Sequence, residues 1–438
     1  MKTLITGIVS MSNRGTAAIL LSVAAGLRAR LPDLTLEVEL FYPEKQDMQE
    51  HLATLGMTVT PPVIQSPLRA GGVLLLAGAS AALRKVGLKC TFRSRTLRRY
   101  SEAGTIVDLS AEAFVWYYTT GVVDQVRRFL IHIYPLWLAG LMGTPVIIYA
   151  QSLGPWAFFG PLLRRIVKRA ASVTVRDPTS LDRLAKEGID VSRVQITPDP
   201  AFLLPSAGEE KVQDYLEREG IDVAAVRRKG YRVIGICLGQ VLDPAEHSSL
   251  MQEVAQALKR LSQGQRTYFL FVPNSYNTLS EKSGDVCVGY ELRGLAGEGV
   301  EIGVVAGHYG PGELKGMLQV CDLVISLRMH PVIGGLSLGI PCILIAFNDK
   351  AYGLFGLYGL ERYVVRCDEV AADSLAKLAE VALSESMALR RSIAQRTAWL
   401  CERSGLGLDL LAELVRGATA STVTQHSHGH SQERRRGL

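Results

Sequence analysis

"DLVISLRMHPVIGGLSLGIPCILIAF", Asp322 to Phe347, reads as a strand, a short helix of small residues and a second strand. Leu323-Val324-Ile325 and Ile343-Leu344-Ile345 are continuous apolar runs, the kind that parallel strands carry when both faces are covered. Pro331 suits the first turn of a helix, and Gly339-Ile340-Pro341 suits its stop. The segment is one βαβ unit. Arg328 and His330, two side chains able to carry positive charge, stand where the chain leaves the first of the two strands.

The same alternation extends outward. Ahead of it lie the strand-like "YRVIGICLGQ" and "RTYFLFVPN" and the helix-like "SLMQEVAQALKRL" and "PGELKGMLQVC". An earlier array runs from "KTLITGIV" and "TAAILLSVAAGLRARL" through "LTLEVELFY", "GTIVDLS", "PVIIYAQSLGP", "PLLRRIVKRA", "ASVTVRD" and "PTSLDRLAKEGI" to "VQITPDPAFLL". Two successive arrays predict an α/β protein of two doubly wound domains, about 1–205 and 206–416, divided by the charged stretch near 206–230. Ligands of such sheets bind beyond the carboxyl ends of the strands. Asp108, Gln151, Arg176, Asp199, Gln240, Asn274, Arg328, His330 and Asn348 all fall at or just past such ends, which points to a site between the domains.

Composition narrows the class. The chain has 438 residues, 48% hydrophobic and 21% charged, enough for about two globular cores. A formal charge of +6 is too mild to argue for nucleic acid, and neither zinc-finger spacing nor an aromatic RNA-binding string is present. The seven cysteines form no CxxC pair and are odd in number, which reads as reduced thiols in a cytoplasmic protein. No secretory signal is expected, because Asn13 and Arg14 interrupt the first apolar stretch. Phe129 to Ala150 is long and apolar, but Pro135 and Gly143-Thr144-Pro145 break it. It is expected to be a buried helix, a turn and a buried strand rather than a membrane span.

Two segments stand outside the alternation. Arg84, Lys85, Lys89, Arg93, Arg95, Arg98 and Arg99 come without an intervening acid, just after the apolar "GGVLLLAGASAAL". That pairing suits peripheral contact with an anionic membrane, and equally a solvated basic helix. Residues 417–438 carry no apolar period and are expected to be an unstructured tail. Its alternating His426, His428 and His430 fit either a metal or plain solvation.

Four blocks in order resemble the polysaccharide pyruvyl transferase family: "YAQSLGPW", "VTVRDPTSLDRL", "ITPDPAFLL" and "SLRMHPVIGGLSLGIPCILIAFNDK". The resemblance covers about residues 104–365. The family's opening Asn-x-Gly-Asp is here Asn13-Arg14-Gly15-Thr16, and its glycine-rich strand end is "VDLSAEA", retaining Asp108 and small residues.

The resemblance implies a GT-B-like fold, two facing doubly wound domains with an interdomain cleft. It implies transfer of the pyruvyl group of phosphoenolpyruvate to a sugar hydroxyl pair, forming a ketal in exopolysaccharide or cell-wall polymer biosynthesis. Phosphoenolpyruvate is then a donor substrate, and no metal or other cofactor is expected. The acceptor is a sugar, lipid-linked in many members, and the setting is the cytoplasm or the inner face of the plasma membrane. Arg176, Arg328, Met329 and Lys350 would bind the donor, since guanidinium forks match phosphate and carboxylate. His330 would act as general acid and Asp199 as general base. Asp108 and Gln151, on the N-terminal domain, would face the acceptor. Arg176 beside Asp177 also suits a structural ion pair, and Asp199 between two prolines also suits a turn or cap. Two other readings stand: a GT-B nucleotide-sugar glycosyltransferase or epimerase, against which Gly335–Leu338 offer no acid, and an inactive binding partner in an assembly complex.

Overall fold

The computed structural model describes residues 1–438 apart from 43–48, 50–51, 62–66, 87–93, 112–125, 127, 155, 157–158, 242, 277–283, 348–349 and 434–438. The chain divides into two compact units. The first comprises Met1–Met11, Leu20–Pro200 and Arg403–Leu438; the second comprises Ser12–Ile19 and Ala201–Glu402.

The first unit carries β1 (Lys2–Ile8), β2 (Thr35–Leu40), β3 (Met57–Thr60), β4 (Thr105–Asp108), β5 (Val146–Gln151), β6 (Ser172–Val175) and β7 (Gln195–Ile196). They form one sheet in the order β3-β2-β1-β4-β5-β6-β7, every pair parallel. The order reverses between β1 and β4, so a crevice opens there at the carboxyl ends. Every residue of β4 and β5 is buried, as their continuous apolar runs require.

Phe129 to Ala150 folds as its sequence predicts. A π-helical turn, Phe129–Ile133, leads into the helix Tyr134–Met142, which ends on Gly143 in the left-handed region (φ 77°), and β5 follows. Among the described residues no helix is long and apolar enough to cross a membrane.

The second unit carries β8 (Arg232–Cys237), β9 (Thr267–Phe271), β10 (Glu301–Val304), β11 (Leu323–Ser326), β12 (Cys342–Ala346) and β13 (Val364–Arg366). Their order is β10-β9-β8-β11-β12-β13, again parallel throughout. Here the reversal lies between β8 and β11, at the exit that carries Arg328.

The opening stretch adds one detail to its sequence reading. β11 stops at Ser326, and the helix Met329–Ser337 starts two residues earlier than Pro331. The cause is local. The Arg328 N–H donates to Ser326 Oγ at 2.9 Å, closing a tight turn that ends the extended backbone. Arg328 is the residue that caps the helix, and His330 lies in its first turn.

The last helix runs from Ser386 through Glu433. The unstructured tail expected from Gly417 is a continuation of that helix in the described backbone. Once a helix is nucleated, each further residue costs little to add, even where the sequence has no apolar face.

Candidate active site

In the second unit, Arg328 stands at the switch point with its guanidinium held on one side. Its Nη2 donates to Asp285 Oδ1 at 2.8 Å. Asp285 is itself buried, and its other oxygen accepts the N–H groups of Asn274 (3.0 Å) and Ser275 (2.8 Å). The guanidinium lies against Gly239 in the loop after β8, where any Cβ would collide with Nε, Nη2 and Cζ. About a third of the Arg328 side chain stays exposed, and its Nε–H has no hydrogen-bond partner among the described residues. A fork so fixed has its geometry set before an anion arrives.

His330, two residues on, packs against the opening block of the chain. Asn13 Oδ1 accepts the Gly15 N–H at 3.0 Å and the Thr16 N–H at 3.4 Å, capping the helix that begins at Arg14. That cap holds the Gly15 backbone against the His330 imidazole, whose Cε1 is 2.7 Å from the place a Cβ would occupy. The segment is tied down further by Arg14 N–H to the Asn274 carbonyl at 2.9 Å. Arg14, Asn274, His330 and Lys315 line one pocket of this unit. Lys315 is buried, and desolvation lowers its pKa to about 8.

In the first unit the expected acceptor-side residues meet at the other switch point. Asp108 is fully buried at the end of β4. Its carboxylate accepts Ser110 Oγ at 2.8 Å and Thr6 Oγ1 at 3.4 Å, and a short contact from Gln151 Nε2. The same amide nitrogen reaches the Asp108 carbonyl at 3.0 Å. His132 Nδ1 lies 3.0 Å from Ser110 Oγ, extending the chain of polar groups. Burial pushes the Asp108 carboxyl up to about 7 against the pull of these hydrogen bonds, and pushes His132 down to about 3. Two non-glycine residues beside this cluster adopt left-handed backbone: Ala111 (φ 59°), just after Ser110, and Ala150 (φ 49°), at which β5 departs from regular register with β6. Strain of this kind concentrates at functional sites.

Arg176 and Asp199 are brought together at 2.9 Å, both deeply buried. Arg176 Nε also donates to Ser152 Oγ at 2.6 Å. Asp177, the acid next in sequence, instead caps the helix Pro178–Lys186 by accepting the Ser180 N–H at 2.7 Å. Met329 is half-buried in the first turn of its helix. Lys350 opens the helix Lys350–Gly356, but its side chain, like Asn348, lies outside the described residues. Of the basic segment, Arg84 donates to the Met142 carbonyl at 2.6 Å and Arg99 to the Pro61 carbonyl at 3.0 Å, while Arg95 and Arg98 are exposed. Lys89 and Arg93 lie outside the described residues. Leu68 and Leu75 of the helix Pro67–Lys85 are also exposed.

Sequence reading found Arg328, His330 and Asn274 but not Arg14, Gly15, Gly239, Asp285 or Lys315. Only the "SNRG" block offered a signal, through Asn13 and Gly15.

Comparisons with known proteins bear on the family and the fold. Among curated proteins, the amylovoran biosynthesis protein AmsJ of Erwinia amylovora is 21% identical over 391 residues, 82% of this chain and 86% of that protein. Solved structures of similar fold include UDP-GlcNAc 2-epimerase from Neisseria meningitidis, with a TM-score of 0.57 at 11% identity over 94% of this chain and all of that one. Anabaena HepE, in complex with UDP-glucose, also gives 0.57, at 15% identity over 97% of this chain and all of that one. At such identities these show the fold alone, which is α/β and GT-B-like. A profile of the family described as polysaccharide pyruvyl transferase matches residues 70–349. That span runs from ahead of Asp108 through the Arg328–His330 turn to the end of β12, and by it this chain belongs to the polysaccharide pyruvyl transferase family.

Proposed function

We propose that the protein transfers the pyruvyl group of phosphoenolpyruvate to a pair of sugar hydroxyls, making a cyclic ketal in the assembly of a surface polysaccharide. The observation that carries this reading is the Arg328 fork, anchored by Asp285 at the switch point of the second sheet with His330 two residues on. Phosphoenolpyruvate presents a phosphate and a carboxylate, both suited to a fixed guanidinium. The reaction needs a proton at the enol carbon, attack of one sugar oxygen on the central carbon, and displacement of phosphate by the second oxygen. Of the two hydroxyl protons released, one equivalent ends on the new methyl group and the other on phosphate. His330 supplies the proton to the enol carbon or to the leaving phosphate. Asp108 and Gln151 serve the acceptor side. Family membership and the AmsJ relative, itself a biosynthesis protein, support the general role.

The test is to incubate pure protein with phosphoenolpyruvate and lipid-linked or nucleotide-linked sugars, following phosphate release and product mass. Matched release of phosphate and gain of a pyruvyl ketal is expected. Tight binding of phosphoenolpyruvate with no turnover on any acceptor would instead make the chain a binding partner. The nucleotide-sugar reading has less support, since the helix Met329–Ser337 carries no acid to hold a ribose.

A further inference from the structure

The helix Pro67–Lys85 of the first unit is apolar round most of its circumference; Arg69, Ser80, Arg84 and Lys85 are its polar residues. One side has a partner. Ala70 and Ala77 are buried in the core with Tyr134 and Leu138, and the Tyr134 hydroxyl donates to the Ala70 carbonyl at 2.7 Å. The opposite side faces out. Leu68, 91% exposed, and Leu75, 78% exposed, are the two most exposed large apolar residues among those described. Ala79 and Ala82 are exposed too, and with the leucines they fall at spacings of seven, four and three, one face of a helix. Val86, just past the helix end, continues that line at 71% exposed. A Cβ added at Gly71 or Gly72 would meet no atom within 4 Å, so the face is open there.

A helix apolar on both sides is ordinarily buried on both. Charge says against what. From His51 to Ser101 the chain carries eight lysines and arginines and no acid, while the whole chain is +6, so the remaining residues are net −2. The positive excess is gathered in the segment that holds this helix. Two copies meeting on this face would set like charge against like, which counts against a dimer. No described helix is long and apolar enough to cross a membrane, so this one would lie along a surface. We propose that Pro67–Lys85 docks on an anionic lipid bilayer, with Leu68, Leu75 and Ala79 among the acyl chains and the basic side chains on the headgroup phosphates. Arg69, Arg84 and Lys85 stand near the helix ends, where long apolar stems let charged heads reach the headgroups. The docking does not rest on pyruvyl transfer. It would hold the enzyme where a lipid-linked acceptor lies, and that consequence alone rests on the reading above.

The experiment is partitioning of the full chain onto vesicles of phosphatidylcholine with phosphatidylglycerol, and onto vesicles of phosphatidylcholine alone. Wild type is compared with the double variant Leu68→Gln/Leu75→Gln. Both leucines are exposed, so the double variant should melt with wild type. Wild type should partition onto the anionic vesicles, and the double variant roughly 10²-fold more weakly, about tenfold for each leucine kept out of lipid. In Leu75→Trp, indole emission should shift to the blue, relative to wild type, when anionic vesicles are added.

Failure of wild type to bind the anionic vesicles overturns the docking. So does equal binding by the double variant, which would leave surface charge alone at work, and so does equal partitioning onto the neutral vesicles. A wild-type dimer that the double variant breaks, with no vesicle binding, would make the face a contact between copies and overturn the docking as well. Should the double variant fold poorly, Leu75→Trp alone decides, and emission unmoved by the anionic vesicles overturns it. None of these measurements uses turnover, so docking and pyruvyl transfer stand or fall separately.

Discussion

The His330 imidazole occupies the space that any side chain on residue 15 would need. Gly15 is therefore required for what stands across from it. Gly15→Ala should push the ring off its position and cost about 1–3 kcal/mol in stability, the range for overpacking. Turnover should fall at least roughly tenfold if the ring's placement matters to proton transfer. Thermal melts and phosphate-release rates on the one variant check both. Wild-type turnover in Gly15→Ala would show that the imidazole's position is not used.

Arg328 and His330 should separate by kinetics. Lysine at 328 keeps charge but loses the fork that Asp285 anchors, so Arg328→Lys should weaken phosphoenolpyruvate binding with little change in melting temperature. His330→Asn should bind the donor nearly normally and lose turnover by roughly 10²-fold or more. Calorimetry and phosphate release on both variants decide it. Normal turnover in His330→Asn removes the acid; normal affinity in Arg328→Lys removes the fork.

The Arg176–Asp199 pair joins two deeply buried side chains. Removing one partner strands a buried charge, so Arg176→Met should cost about 3–5 kcal/mol. Adding Asp199→Leu should restore most of that loss, because an apolar pair of similar volume is close to neutral. Denaturant melts of the single and double variants measure it. A double variant no more stable than the single would mean that the arginine holds something other than Asp199.

Stability should depend on pH through Asp108. Its folded pKa is raised to about 7 by burial, above the ordinary value of 3.8. The folded state therefore binds the proton more tightly, and stability contributed at low pH is lost as pH rises from near 4 through about 7. Asp108→Asn has no such proton, so its melting temperature should gain on wild type between pH 4 and pH 8. Parallel pH profiles for the two proteins would show that the carboxyl ionises without cost.

Arg95 and Arg98 are exposed, as are Leu68 and Leu75, a combination that suits an anionic bilayer surface. Vesicles containing phosphatidylserine should sediment the protein at low salt and release it as salt rises. Equal sedimentation with neutral vesicles would leave these arginines as solvated charge.

The central strands were legible because burial on both faces forces continuous apolar runs, as in β4, β5, β11 and β12. β3, β10 and β13 were not. Each is an edge strand of three or four residues with partly exposed positions, so nothing in its composition marks it. The site divides the same way. Arg328 and His330 announce themselves by following an apolar run. Asp285 and Lys315 sit in ordinary helical sequence and acquire meaning only from what folding sets beside them. The expected Arg176–Asp177 pair shows the limit of adjacency, since the nearer acid went to a helix cap and the distant Asp199 took the guanidinium.

Because Ser12–Ile19 belongs to the second unit, that unit is assembled from segments made at well-separated times in protein synthesis. The ribosome delivers Arg14 and Gly15 long before His330, which comes only after both strands flanking the β8–β11 switch point have been made. A nascent chain thus has no complete pocket until late, and a fragment starting at Ala201 would carry Arg328, His330 and Lys315 without the backbone that walls them. Contacts closed over so long a stretch of chain form slowly. Supplying a peptide of the N-terminal segment to such a fragment would be a direct way to watch the pocket being finished.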